Sequence, residues 1–237
     1  MTEQATLTAI RTERVTDTVY QVLRERIVEQ QFLPGSKIHV DEIARQLDVS
    51  RTPVHEALSM LAADGLVEVR PRRGTYVTEF TTTDYTETLD IRRSLEVLAC
   101  ETAVGNATDE DIAELQALVD GMPETVEKAA TPADAARVHD AQNLEFHLKL
   151  VGLSGNRRLI DLYADLRAHL KIARAHVDAT EWLSRVADET REHQEIVKAL
   201  AGRDVDALKA ALDAHLRRSA ASLIDDITRA EGRDQNS

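Results

Sequence analysis

The chain has 237 residues, of which 43% are hydrophobic and only 3% aromatic, and it carries a formal net charge of −13 at pH 7. That length accommodates two domains with a sizeable core, and the shortage of aromatics beside abundant Ala and Leu favours helices over sheets. The single cysteine, Cys100, excludes a disulfide within the chain, and no run is long and apolar enough to span a bilayer. The opening MTEQATLTAIRTER lacks the apolar stretch of a signal peptide, so a reducing, cytoplasmic setting is expected.

The acidity is uneven. Residues 1–79 hold 10 Lys+Arg against 12 Asp+Glu, whereas residues 80–237 hold 19 against 30. The overall charge therefore does not exclude a nucleic-acid partner, because a local basic patch decides that interaction.

In chain order, residues 1–15 read as a polar, frayed start. From Thr16, the residues Val19, Val22, Leu23 and Ile27 recur at helical spacing, and Leu33-Pro34-Gly35-Ser36 signals a turn. The stretch 38–77 then predicts a short helix over 41–47, a tight turn at Asp48, Val49 and Ser50, and a second helix over 51–63. Ser50 is placed to cap the second helix with its hydroxyl, and Pro53 is tolerated in the first turn. Val54, Ala57, Leu58 and Leu61 face the first helix through Ile43, Ala44 and Leu47, which leaves Arg51, Thr52, His55 and Ser59 pointing outward. Asp64-Gly65 ends the helix. Leu66, Val67 and Val69, then Thr75, Tyr76 and Val77, alternate as a two-stranded ribbon around Pro71-Arg72-Arg73-Gly74. These signals together spell a winged helix-turn-helix, whose exposed helix face is what a major groove would meet.

The run Leu47-Asp48-Val49-Ser50-Arg51-Thr52-Pro53-Val54-His55-Glu56-Ala57-Leu58, with Asp64-Gly65-Leu66-Val67 and Arg73-Gly74-Thr75-Tyr76-Val77, resembles the DNA-binding domain of GntR-family bacterial transcription regulators. The resemblance implies that Arg51 and Thr52 contact operator DNA, with Arg45 on a phosphate and the wing residues Arg72, Arg73, Gly74 and Thr75 at the minor groove. His55 stands where the family usually has arginine. A neutral imidazole is a weaker phosphate partner, so operator preference or affinity is expected to differ.

A threonine-rich connection over 80–83 separates this domain, 1–79, from an all-helical domain, 84–237. Asp84 and Glu87 stand at capping-box spacing, and Leu89, Ile91, Leu95, Leu98 and Ala99 form an apolar stripe. Further helices are expected over about 109–120, 124–130, 132–152, 156–177, 181–201 and 204–230, with Gly121-Met122-Pro123 as one of the breaks. The fold class is thus mostly α, a winged helix-turn-helix followed by a helical bundle.

Three of these helices carry polar groups on their apolar faces. Asn143 and His147 stand four apart among Leu144, Phe146, Leu150 and Val151. His193 shares a face with Val186, Ile196, Val197 and Leu200, and His215 with Leu208, Ala211 and Leu212. Three inward imidazoles suggest either a shared metal ion or a polar cavity of separately hydrogen-bonded histidines. Residues alone leave both open.

Asn143-Leu144-Glu145-Phe146-His147, Leu153-Ser154-Gly155-Asn156, His193-Gln194-Glu195-Ile196-Val197, Gly202-Arg203-Asp204 and His215-Leu216 resemble the FCD effector domain of FadR-type GntR regulators. The resemblance implies a divalent transition metal, Zn or Ni, held by Asn143, His147, His193 and His215. Asn143 replaces the family's usual aspartate, so the site has one negative charge fewer and is expected to hold its ion more weakly.

Arg92 and Glu96 resemble the family's Arg-x-x-Leu-Glu signature, and the resemblance implies that Arg92, rather than the neighbouring Arg93, grips the carboxylate of a small organic acid. His139 and His169 either line the effector pocket or lie half-exposed at helix ends. The implied assembly is a homodimer on a palindromic operator, and the implied action is repression relieved by the acid. Two other functions use the same residues: a regulator in which the metal is the signal, and a hydrolase in which it activates water. No HExxH, nucleophile elbow or phosphate-cradling glycine loop occurs, so no enzyme is expected.

Overall fold

The computed structural model describes residues 15–29, 31–79, 81–174 and 183–234. Expectations for residues 1–14, for Trp182 and for the facing ends of the helices expected over 156–177 and 181–201 lie outside the described residues. The chain divides into two compact units, residues 1–79 and 80–237.

In the first unit α1 (Val15–Val28) buries Val19, Leu23 and Ile27 and packs on α3 (Arg51–Ala63), which buries Val54, Ala57, Leu58 and Leu61. The Thr16 hydroxyl donates to Glu56 at 2.6 Å and the Tyr20 hydroxyl to Asp64 at 2.6 Å, so the helix pair is tied at its rim. Between them α2 (Val40–Gln46) supplies Ile43 and Ala44 to the same core. Asp48 takes a left-handed φ of 52° that lets Val49 N–H close back on Ala44. Asp tolerates that conformation better than most side chains, so it serves the turn.

Ser50 is the N-cap residue of α3 but makes no side-chain capping bond, contrary to expectation. At the other end Gly65, φ 73°, lets Leu66 N–H reach Leu61 C=O at 2.9 Å, a bond only a left-handed residue permits. The chain then turns into β2 (Val67–Arg70) and β3 (Gly74–Val77). The expected two-stranded ribbon is a three-stranded sheet of order β1-β3-β2, because β1 (Lys37–Ile38) pairs Lys37 with Tyr76 and Ile38 with Thr75. A two-residue strand has no period to read, and only the main-chain pairing reveals it.

The second unit is helical throughout its described residues: α4 (Thr82–Asn106), α5 (Asp109–Glu127), α6 (Pro132–Gly152), α7 (Arg157–Arg174), α8 (Val186–Ala201) and α9 (Val205–Asp234). α4 starts before Asp84. Thr81 is the cap and Asp84 the third helical residue, with Thr81 Oγ1 accepting from Asp84 N–H at 3.2 Å and the Asp84 carboxylate accepting from Thr81 N–H at 2.8 Å. Thr108 and Asp111 repeat this reciprocal pair at α5.

The break expected at Gly121-Met122-Pro123 does not occur, and α5 runs through it to Glu127. Pro123 removes one helix hydrogen bond, but Val119 and Met122 are fully buried, and the Thr125 hydroxyl donates to Gly121 C=O at 2.8 Å. Burial outweighs the local breaker. At the far end of the bundle Arg203, φ 57°, donates to Val104 C=O at 2.9 Å and to Ala107 C=O, which satisfies the open carbonyls that end α4.

The core is divided. One apolar cluster gathers Val104, Leu115, Phe146, Leu150, Ile196, Leu200 and Leu212; a second gathers Tyr85, Leu89, Leu144, Leu170, Leu223 and Ile227. α6 contributes to both clusters, and between its residues Leu144 and Leu150 stands the buried His147.

Leu150→Ala is expected to destabilise the helical unit by about 2–5 kcal/mol, and Thr108→Ala by about 0.5–2 kcal/mol, in urea unfolding followed by far-ultraviolet circular dichroism. Equal effects would contradict the burial ranking.

Candidate functional site

Two regions collect the side chains that carry chemistry. On the first unit, α3 leaves Arg51, Thr52, His55 and Ser59 exposed while burying the opposite face, as the spacing predicts. Arg51 Nε lies 2.6 Å from Asp41 Oδ1, with both side chains some 70% exposed (69% and 71%). An exposed pair of this kind is worth about 0–1 kcal/mol, so Arg51 can exchange Asp41 for another acceptor at little cost. Arg45 is exposed as well, its Nη2 4.0 Å from Glu42.

The wing tip presents Arg72, Arg73 and Gly74 to solvent, with Thr75 half-buried behind them. Gly74 has a φ of 114°, a conformation that L side chains rarely adopt, whereas the Lys37 side-chain end that a Cβ would meet at 2.9 Å can move aside. Arg70 lies 4.5 Å from the Tyr76 ring centre and Lys37 5.9 Å from the same ring. Lys37 is a cation that sequence reasoning missed, because it reaches the wing only through the β1–β3 pairing.

In the second unit His147 (α6), His193 (α8) and His215 (α9) converge. Each offers one ligand atom, and those atoms all lie within 4.8 Å of one another. All three rings are buried, and His193 leans on the Phe146 ring at 4.3 Å between centres. His147 Nε2 and His215 Nε2 are 3.2 Å apart.

The other ring nitrogens explain this approach. His147 Nδ1 lies 2.6 Å from Glu96 Oε2, and His215 Nδ1 lies 2.7 Å from Glu192 Oε2. An ionised carboxylate only accepts, so each Nδ1 donates and each Nε2 of a neutral ring is left as a bare lone pair. Two lone pairs facing at this distance repel unless a proton or a metal ion lies between them. With metal–nitrogen bonds of about 2.0–2.1 Å, a tetrahedral ion sets its ligand nitrogens about 3.3 Å apart. The donor set therefore fits a transition metal bound by neutral imidazoles.

The electrostatics agree. Burial drives the His147 pKa down to about 3 despite Glu96, and burial followed by His215 and His147 holds His193 well below the ordinary imidazole range. Burial alone would raise the Glu96 carboxyl, but His147 and the Arg92 guanidinium outweigh it and keep Glu96 ionised. Arg92 Nε donates to Glu96 Oε1 at 2.6 Å, and the Tyr163 hydroxyl donates to the same oxygen at 2.8 Å. On the other side Glu192 accepts from Arg218, whose Nη2 lies 2.7 Å from Oε2 and whose Nε donates to Oε1. Burial pushes Glu192 up, while the hydrogen bonds from His215 and Arg218 bring it down to about 2. Cys100 takes no part: burial and Glu96 push its thiol up to about 12.

The remaining candidates fall in distinct places. Asn143 is buried one turn before His147. Arg92 is 1% exposed with Nη2 making no hydrogen bond, whereas Arg93 is half-buried and paired with Asp213. His139 is not a half-exposed helix-end residue: α6 begins at Pro132, so His139 lies two turns inside it and is fully buried, 3.9 Å from Glu189 Oε2. His169 is half-buried on α7 and lies outside the three-imidazole cluster.

Glu192, Glu189, Tyr163 and Arg218 were not singled out in the sequence, where each reads as an ordinary helix residue. The one usable signal was Glu96, four residues after Arg92.

Comparison with known proteins follows the same division. The gntR family of bacterial regulatory proteins matches residues 15–77, and the FCD domain matches residues 87–218. The Nta operon transcriptional regulator of Aminobacter aminovorans is 30% identical over 191 residues, covering 81% of this chain and 86% of that protein. The HTH-type transcriptional repressor RspR of Escherichia coli is 27% identical over 218 residues, covering 90% of each. A solved GntR transcriptional regulator from a Rhodococcus species has a TM-score of 0.71 at 26% identity, over 90% of this chain and 99% of that one. The chain therefore belongs to the GntR family of bacterial regulatory proteins and carries an FCD domain, which makes it a DNA-binding regulator of transcription and not an enzyme.

Proposed function

We propose that this protein is a repressor whose operator affinity is lowered by a small organic acid bound in the helical domain beside a divalent metal ion. The observation that carries the reading is the meeting of three buried imidazoles with ligand atoms within 4.8 Å, two of them held in one tautomer by carboxylates. His147, His193 and His215 would hold the ion, with Asn143 as a neutral fourth ligand. A bound Zn²⁺ or Ni²⁺ supplies positive charge to anchor a carboxylate. Arg92, whose Nη2 is buried and makes no hydrogen bond, supplies the guanidinium that orients the acid, and His139 and His169 line the same pocket.

Residues 1–79 form the DNA-binding domain and residues 84–237 the effector and dimerisation domain, joined by 80–83. Arg45, Arg51, Thr52 and His55 meet the major groove and its phosphates, and Arg72, Arg73, Gly74 and Thr75 meet the adjacent minor groove. A homodimer places two such helices on a palindromic operator in the cytoplasm. Ile91 and Leu98, two turns apart on α4, and Leu162 on the adjacent α7 are exposed apolar side chains that suit the subunit contact. The acid acts through its differential affinity for two settings of the DNA-binding domains, which bounds the effect at about 1–3 kcal/mol of coupling. RspR, a relative over 90% of its length, is named a repressor, which supports the sign of regulation.

Arg51→Ala is expected to abolish operator binding in a gel-shift assay while the circular dichroism spectrum and oligomeric state stay unchanged; undiminished affinity would remove Arg51 from the interface. His193→Ala is expected to lose both bound metal, read by native mass spectrometry, and the release of operator by acid. A variant that still responds would make the histidines structural. Operator affinity that follows the metal at constant acid would favour the ion as the signal.

A further inference from the structure

The two carboxylates behind the imidazoles carry an inference that rests on reading the cluster as a metal site. Glu96 and Glu192 each come from a different helix than the histidine they hold: Glu96 of α4 takes His147 of α6, and Glu192 of α8 takes His215 of α9. Each carboxylate is itself fixed by a guanidinium, Arg92 for Glu96 and Arg218 for Glu192. The result is a chain of two mirror-like arms that meet at the 3.2 Å gap between Nε2 atoms.

We propose that Glu96 and Glu192 are the positioning residues of the metal centre, with Glu96 as a fixed arm and Glu192 as an adjustable one. A carboxylate on Nδ1 performs two tasks: it selects the tautomer that leaves Nε2 bare, and it raises the basicity of that nitrogen toward a cation. The arms differ in their surroundings. Glu96 is wholly buried, and Tyr163 takes up the same oxygen as Arg92, so its position is over-determined. Glu192 and Arg218 have side chains 25% and 33% exposed, so water competes for their bidentate pair and His215 is the more easily reset ligand. Removal of Glu192 leaves Arg218 partly solvated rather than stranded. Removal of Glu96 strands Arg92 in the core.

The test titrates full-length, chelator-stripped protein with Zn²⁺ against a chromophoric chelator, and with Co²⁺ for its visible ligand-field bands. Thermal melting of the metal-free protein serves as the structural control. Glu192→Ala is expected to weaken Zn²⁺ about 10–100-fold and to shift the Co²⁺ bands, with the melting temperature of the metal-free protein held. Glu192→Gln is expected to lose less, since its amide oxygen still accepts from Nδ1 without the charge. Glu96→Gln combined with Arg92→Met removes the charge of the fixed arm without stranding a cation and is expected to lose as much as Glu192→Gln. If the paired variant does not fold, the Glu192 series decides alone.

Zn²⁺ affinities of both Glu192 variants within about twofold of the wild type, with unchanged Co²⁺ bands, would overturn the positioning role while leaving the metal site standing. A wild-type protein that binds neither ion would remove the metal reading and this proposal with it.

Discussion

The helical unit depends on one buried carboxylate. Glu96 accepts from Arg92 and Tyr163 at one oxygen and from His147 at the other, so α4, α7 and α6 are joined at a point fully removed from water. Isolated in a medium of low polarity, that charge would be untenable; surrounded by a guanidinium, a phenol and an imidazole it is satisfied. From His147 the connection passes to His215 on α9 and on to Glu192 on α8, which makes a buried polar thread between the apolar clusters of the bundle. A set of apolar side chains of the same volume would hold such helices together at least as well. What the thread adds is direction: the Nε2 atoms of His147 and His215 are brought face to face 3.2 Å apart.

That constraint also explains why α6 carries polar residues at His139, Asn143 and His147 inside an otherwise apolar face. Spaced four apart, they form a column along one side of the helix, and all three are buried. His139 lies against Glu189, so the column reaches beyond the three clustered imidazoles toward a second carboxylate of α8.

In the first unit the organising constraint is charge placement. Residues 1–79 are slightly acidic in sum, yet the acidic groups Glu56 and Asp64 are spent on Thr16 and Tyr20 at the α1–α3 contact, while Arg51, Arg72 and Arg73 face solvent. Asp41 pairs with Arg51 where both side chains are exposed to water, so the pair holds Arg51 only weakly. The wing gains Lys37 from a strand too short to be recognised by its pattern.

By itself the sequence determined the two-part organisation, the outward face of α3, the basic glycine-bearing wing tip and the three inward histidines. These follow from spacing along a single helix or turn, where residues three and four apart share a face. It misplaced the start of α4, broke α5 at Pro123 and credited Ser50 with a capping bond, because competing local signals are settled by burial and by which partner lies within reach. Only the tertiary structure decided which carboxylates stand behind which imidazoles: Glu96 and His147 are 51 residues apart, and His147 and His215 are 68 apart. Residues so distant on different helices leave no periodicity to read, and their chemistry emerges when packing removes water and forces each buried charge to take the partner beside it.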